Sequence, residues 1–330
     1  MYKRSRLHQQ ILLLIIFALA SSASIAQKKN KATISYSGEP TGTAVLWQPV
    51  DIGTQDLFKG PGGNAMTPDL SNITLIQRET GGHNKKYRIK DGSGREWVAK
   101  LGSEDRPETA AVRLLHGIGY ETEINYLVPE MTIPGVGTFK DVRLEARPAH
   151  VKRLDEWKWT NNPFVGTNEL QGLKIMQVFM TNYDLLDMQN KVLSVKGPNG
   201  PELHYIISDL GSTFGRFGYT NLPVIYRLGR ANDNPRAWSK AKFIKGVKNG
   251  RIIFATTGAK SRGLFNDITV AQGRWLYSLL AQLHEEQIRD AFRAANYSPS
   301  EVDLLTSATR RRIDELERAT NERFANRKYK

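Results

Sequence analysis

Between Ile73 and Leu101 the chain has little choice but to form sheet. Ile73 and Leu75 alternate with polar residues, Thr80-Gly81-Gly82 makes a turn, and Tyr87 to Lys90 gives a second strand. Asp91-Gly92-Ser93-Gly94 is a hairpin turn, and Glu96 to Leu101 is a third strand. Strands joined this closely pair as an antiparallel meander. A helix signal follows at once. Pro107 suits a first helical position, Ala110, Ala111, Leu114 and Leu115 have helical spacing, and Gly117 and Gly119 end the run.

Further strands are expected at Tyr126–Val128 and Val136–Glu145, around a Pro134-Gly135 turn. Past Pro148 the character changes. Leu170, Leu173, Met176 and Met180 mark a helix running into Asn182-Tyr183-Asp184. Val192–Val195 and Leu203–Ile207 flank the turn Gly197-Pro198-Asn199-Gly200. Residues 212–262 read as irregular. Two closing helices are expected, one over Gly273–Ala294 and one opened by the capping box Ser298-Pro299-Ser300-Glu301. The chain is therefore expected to be α+β, β-rich over 56–150 and mainly helical over 151–330, with a linker or peripheral strand over 27–55.

Residues 1–26 read as a secretory signal peptide. Lys3, Arg4 and Arg6 precede the apolar run Ile11–Ala20, and Ser24-Ile25-Ala26 is a cleavage site before Gln27. The run is short for a membrane span, and no other stretch reaches that length. The expected location is periplasmic or secreted. Losing those three cations lowers the formal net charge from +14 to +11. There is no cysteine, which excludes disulfides, thiolate metal sites and cysteine nucleophiles. Basic residues gather at the ends, at Lys28, Lys29 and Lys31, at Arg310-Arg311-Arg312 and from Arg323 onward, and read as solvated faces. No basic cluster is interleaved with stacking aromatics, so a nucleic-acid partner is not expected.

Four features carry chemistry. Trp97-Val98-Ala99-Lys100 places a lysine on the third strand, and Glu108 lies in the first turn of the following helix, with Glu104 as a rival. Asn182-Tyr183-Asp184-Leu185-Leu186-Asp187-Met188-Gln189-Asn190 lies between a helix and a strand. An Asp there can take a hydroxyl proton, and an Asn beyond it can ligate a metal. Ser208-Asp209-Leu210-Gly211 follows the hairpin, where a D-x-G carboxylate can hold Mg²⁺. After signal removal the histidines stand at 83, 116, 150, 204 and 284, with no H-x-x-x-H pair, and no G-x-S-x-G elbow occurs. Trp157, Trp159 and Phe164 are expected in the core, with a ligand groove as the alternative.

In these features the chain resembles the kinase-like superfamily, above all its atypical branches: HipA-type, phosphoinositide-kinase-like and secretory-pathway kinases. It also resembles a family of uncharacterised secreted bacterial proteins through Asp56-Leu57-Phe58-Lys59-Gly60-Pro61-Gly62-Gly63, the run Asp91-Gly92 to Lys100-Leu101-Gly102, Pro107-Glu108 and Gly119-Tyr120. The resemblance implies a two-lobed kinase-like fold with a β-rich N-lobe and a mainly helical C-lobe. It further implies ATP or another nucleotide with Mg²⁺ or Mn²⁺. Lys100 would contact donor phosphates and Glu108 would pair with it. Asp184 would be the catalytic base, and Asn190 and Asp209 the metal ligands. No G-x-G-x-x-G loop exists; Gly81 and Gly82 of Thr80-Gly81-Gly82-His83-Asn84 would be a degenerate phosphate cover. Asn190 lies six residues after Asp184 and three after Asp187, where ordinary protein kinases have five, so Asp187 is an alternative base. The function implied is an exported phosphotransferase acting on a protein, glycan or small molecule, with AMP transfer as a variant. The alternative is an inactive pseudokinase serving as an envelope scaffold.

Overall fold

The computed structural model describes residues 41–81, 84–218, 228–255, 257 and 262–321. The strands expected first in the sequence form one five-stranded antiparallel sheet. Its members are β2 (Thr74–Glu79), β3 (Lys85–Lys90), β4 (Glu96–Leu101), β5 (Asn125–Ile133) and β6 (Gly137–Ala146), after the short β1 (Thr43–Val45); their order in the sheet is β2-β3-β4-β6-β5. The β3–β4 turn is fixed by Asp91. Its buried carboxylate accepts from the Arg95 backbone amide at 2.9 Å and from Trp97 Nε1 at 3.0 Å, and Gly94 takes φ +80°.

The two faces of this sheet differ in kind. Tyr87, Ile89, Trp97, Ala99, Val142 and Leu144 form an apolar core on one face. Lys86, Lys100 and Arg143 are register partners across β3, β4 and β6, and Glu145 follows Arg143 by two residues, so all four share the other face. Helix α1 (Asp105–Gly117) packs on that charged face. It begins two residues before Pro107, because the Asp105 carboxylate accepts from the Gly102 amide at 2.6 Å and initiates the turn. Pro107 then occupies a position whose amide is unpaired in any helix. The helix is buried almost all round. Its Ala110, Ala111, Leu114 and Leu115 join the larger core formed with the C-terminal helices. Arg113, meanwhile, donates to Asn125 Oδ1 at 3.0 Å and to the Asn125 carbonyl at 2.8 Å.

A second, four-stranded sheet has the order β1-β9-β8-β7, with β7 at Lys152–Arg153, β8 at Asn190–Gly197 and β9 at Gly200–Ile207. β1 lies parallel to β9, and Leu46 and Ile52 beyond it are buried, so residues 43–52 belong to the packed body. Helix α2 (Asn168–Phe179) starts on Thr167, whose hydroxyl accepts from the Leu170 amide. Residues 212–262 hold more order than expected: helix α3 (Pro235–Lys240) and the hairpin of β10 (Ile244–Lys248) and β11 (Arg251–Phe254). The expected helix over Gly273–Ala294 is two, α4 (Val270–Leu280) and α5 (Glu285–Arg293), because Thr269 and His284 each open a capping box of their own. Helix α6 (Pro299–Thr320) opens on the capping box at Ser298, as expected. Trp157 and Trp159 are buried in the larger core, with Phe164 packed against it. The architecture is α+β, with a β-rich N-terminal half and a helical C-terminal half. Among the described residues no helix is long and apolar enough to cross a membrane.

Candidate functional site

The charged face of the first sheet centres on Lys100 and Glu145. Lys100 Nζ lies 2.5 Å from Glu145 Oε2, with the lysine partly open to solvent and the carboxylate buried. Arg143 Nη1 approaches the same oxygen at 3.4 Å, Arg147 bonds the other oxygen, and Arg153 stands 3.9 Å from it. Burial alone would raise the Glu145 carboxyl. Lys100, Arg147, Arg143 and Arg153 outweigh that cost and hold it well below the usual range, so it is an ionised anchor.

Helix α1 brings a second row of acids against this face. Glu108 Oε1 accepts from Arg143 Nη1 at 2.5 Å, and Asp105 Oδ1 lies 3.4 Å from Arg143 Nε. The partner implied for Lys100 is thus bonded to Arg143, while Lys100 is held by a neighbouring strand. Burial pushes Glu108 up to about 8; Arg143 and Lys100 pull it down, whereas Asp209 and Glu145 add to the rise. Glu104, the rival, caps α1 and accepts from Asn84 Nδ2 at 2.6 Å; burial and then the Asp209 charge raise its carboxyl. Burial and the Lys100 charge lower Lys86.

Asp209 therefore acts electrostatically on Lys86, Glu104, Glu108 and Arg143, and belongs to the same cluster as Lys100. Several contacts bind its turn to the start of α1. Asp209 Oδ1 accepts from the Gly211 amide at 3.3 Å, and Thr213 Oγ1 donates to the Pro107 carbonyl at 3.3 Å. Asn232 Nδ2 donates to the carbonyls of Ser103 and Gly211. A Cβ at Gly211 would lie 2.4 Å from Glu104 Cβ, so the turn can approach the helix this closely only without a side chain. On the other side, Arg153 donates to Glu123 Oε1 at 2.6 Å and to Ser208 Oγ at 2.8 Å, joining the second sheet to the network around Glu145.

The loop after α2 divides its candidates. Asp184 is half-buried; its amide donates to Asn182 Oδ1 at 3.0 Å, and its carboxylate accepts from Gln189 Nε2 at 2.8 Å. Tyr183 links this loop to the cluster: burial raises its hydroxyl, Ser212 bonds it, and both Glu104 and Asp184 act on it. Asp187 accepts from the Trp159 amide at 3.1 Å, a structural task. Asn190 is buried, and its Nδ2 donates to the Trp157 carbonyl at 3.0 Å. Its Oδ1 is buried without a partner among the described residues. Asn190 pairs with Ile207, and the Ser208 amide donates to the Gln189 carbonyl at 2.7 Å, so Asn190 and Asp209 lie at one end of the β8–β9 hairpin. An orphaned amide oxygen and a carboxylate are both donors of the kind a hard cation such as Mg²⁺ takes. Among the described residues no three His, Asp or Glu side chains form a metal-holding group, so water and donor oxygens would have to complete any shell.

Gly81 is exposed, and Gly82 lies outside the described residues. Asn84, just before β3, touches the α1 cap through Glu104, which sets this residue beside the cluster. Sequence reasoning missed Glu145, Arg143, Arg147 and Arg153. The signal was present: Arg143, Glu145 and Arg147 alternate with Leu144 and Ala146, placing three charges on one face of a strand that must be buried. The loop Asp56–Gly63 serves the fold, since Tyr126 Oη donates to the Gly63 carbonyl at 2.6 Å and Arg113 packs against Gly60.

No protein-family model matches the chain, and no curated protein matches it. Among solved structures the chain is similar to a proinflammatory kinase, CtkA, from Helicobacter pylori. That match has 11% identity and a TM-score of 0.48, covering 77% of this chain and 98% of the other. It is also similar to the Rio2 kinase from Chaetomium thermophilum, solved as an ADP/Mg²⁺-phosphoaspartate complex. There the identity is 10% and the TM-score 0.29, with coverage of 73% and 72%. Neither likeness transfers an activity or a residue role to this chain.

Proposed function

We propose that the chain is an exported phosphotransferase that takes a phosphoryl group from a metal-bound nucleotide, ATP or a relative, and passes it to a hydroxyl on a protein, glycan or small molecule. What supports this reading is that Lys100 and Asp209 both act electrostatically on the buried Glu108 carboxyl, while Thr213 and Asn232 tie the Asp209 turn to the start of α1. Lys100, oriented by Glu145, would neutralise donor phosphate oxygens. Asp209 and the free Oδ1 of Asn190 would hold Mg²⁺ or Mn²⁺, which neutralises charge on the transferring group when bound. Asp184, whose carboxylate accepts from Gln189, would accept the proton of the attacking hydroxyl as the new P–O bond forms and the bond to the donor breaks. Export rests on the signal features of residues 1–26 and places the mature chain in the periplasm or outside the cell.

One specific feature favours an inactive scaffold instead: the ammonium of Lys100 is already taken by Glu145 at 2.5 Å. The deciding experiment is a thermal-shift titration with ATP, other nucleotides and Mg²⁺ or Mn²⁺, on chain recovered from the periplasm with its N-terminus read first. Gln27 is the expected first residue. A ligand that binds only the native state raises the melting temperature by mass action. A metal-dependent rise that disappears in Asp209→Ala is expected. No rise with any nucleotide would leave the scaffold reading, and an unchanged rise in the variant would remove Asp209 from the metal site.

A further inference from the structure

A second concentration of charge lies away from these residues. Val178, Thr181, Arg216, Lys242, Ala255 and Arg312 line a cavity of about 250 Å³ that shares no residue with the Lys100–Asp209 cluster. Three of its walls are cationic and none of its lining residues is acidic. Arg312, on α6, is 1% exposed. Its guanidinium donates to the carbonyls of Phe179, Trp238 and Ala241 and stacks on Trp238, with its carbon 4.6 Å from the ring centre. Its Nε is buried with no partner among the described residues. Among the described residues no carboxylate forms an ion pair with it. The nearest acid that acts on it, Glu315, is committed to the amides of Phe243 and Ile244 at 3.0 Å each.

A buried guanidinium bonded only to neutral carbonyls keeps an uncompensated charge, a costly state in a protein interior. Burial accordingly draws Arg312 down to about 9. The neighbouring surface does not compensate it. Arg216 and Lys242 are exposed and make no ion pair among the described residues. Between Asn234 and Asn266 the chain contains no acid, while Arg236, Lys240, Lys242, Lys245, Lys248 and Arg251 all fall within that stretch. Cations gathered around a cavity of this size with no acid in its described lining match a small multivalent oxyanion, because guanidinium and ammonium groups together meet several phosphate oxygens.

The geometry points to this cavity as a binding site for a phosphate group, free or borne on a larger molecule, held by Arg216, Lys242 and Arg312. The site does not depend on the nucleotide reading. The test is calorimetric titration of the full chain with inorganic phosphate and with phenyl phosphate, ionic strength held constant with chloride. Saturable binding is expected, retained in Asp209→Ala and weakened roughly tenfold or more in the Arg216→Gln, Lys242→Gln double variant, as loss of charged hydrogen bonds requires. Both side chains are on the surface, so the double variant leaves the fold intact. Replacing Arg312 would confound folding with binding, because it also ties three carbonyls. Tighter binding of phenyl phosphate assigns the site to the phosphoryl group of a larger ligand, and equal binding assigns it to the free anion. No saturable binding, equal binding in the double variant, or loss in Asp209→Ala would each overturn the assignment.

Discussion

Glu108 is the side chain whose environment departs furthest from its role as first read. The sequence offers it as the partner of a strand lysine, a reading based on spacing alone. Spacing along the chain cannot say which of two cations on one sheet face, Lys100 or Arg143, a helix carboxylate will meet, and the register puts Arg143 there. Lys100 itself was legible, because the alternation of β4 fixes its face. Its partner was not, because Glu145 arrives from a strand more than forty residues later. The position of Glu108 has a measurable consequence. Its folded pKa of about 8 lies above the ordinary 4.5. A carboxyl raised in this way contributes stability that is fully present below pH 4.5 and lost as pH rises through 8. Unfolding free energy should therefore decline across that window by up to ~1.4 kcal/mol per pH unit, the effect of one proton. Glu108→Gln should flatten this part of the slope in urea titrations run from pH 5 to 8. Parallel slopes for the two proteins would show that Glu108 is ionised throughout.

At the scale of elements, legibility followed turn and cap chemistry. The β3–β4 hairpin and α6 were readable because Asp91-Gly92-Ser93-Gly94 and Ser298-Pro299-Ser300-Glu301 are strong local signals. The β10–β11 hairpin carries an equally local signal inside the stretch expected to be irregular. Asn249-Gly250 sits between two apolar runs, and both residues take positive φ, +51° and +72°, as a primed turn needs. The split of α4 from α5 was harder, since its start signal is a histidine cap, an uncommon one. What no local signal reveals is contact between elements, and Gly211 is the case in point. Its turn reads as an ordinary Asp-Leu-Gly, yet its place is decided by Glu104 of the α1 cap. Gly211→Ala would drive a methyl into Glu104 Cβ, with Glu104 Cα only 3.3 Å away, so neither flexible tip nor open space can absorb it. A loss of ~1–3 kcal/mol is expected by denaturant unfolding. Gly81→Ala, where nothing lies within 4 Å of the added carbon, is the control, expected to change stability by less than ~0.5 kcal/mol. Equal effects at the two glycines would refute the close approach.

Across the molecule, the first sheet divides two kinds of cohesion. Its apolar face closes on its own small core, whereas its other face meets α1 through charge. The large core lies beyond α1, among the C-terminal helices, with the apolar side of α1 as part of it. The sheet meets α1 through Arg143 with Glu108 and Asp105, and the Asp209 turn is tied to the start of α1. The chain of groups runs from Lys100 through Glu145 to Arg147 and Arg153, then through Glu123 to Ser208 on the second sheet. Lys100, Arg143, Arg147 and Arg153 all converge on Glu145, so its charge holds more than one element. Glu145→Gln keeps the volume and removes the charge, leaving Lys100, Arg143 and Arg147 buried or half-buried with less compensation. Removing one partner of a buried ion pair typically costs ~3–5 kcal/mol, because the remaining charge stays desolvated. A loss of that size should appear in urea unfolding, and because the deficit is one of surplus positive charge, multivalent anions should recover part of it. If Glu145→Gln unfolds within ~1 kcal/mol of the native chain, the network is screened by water, and the two sheets must be held together by packing that the charges only decorate.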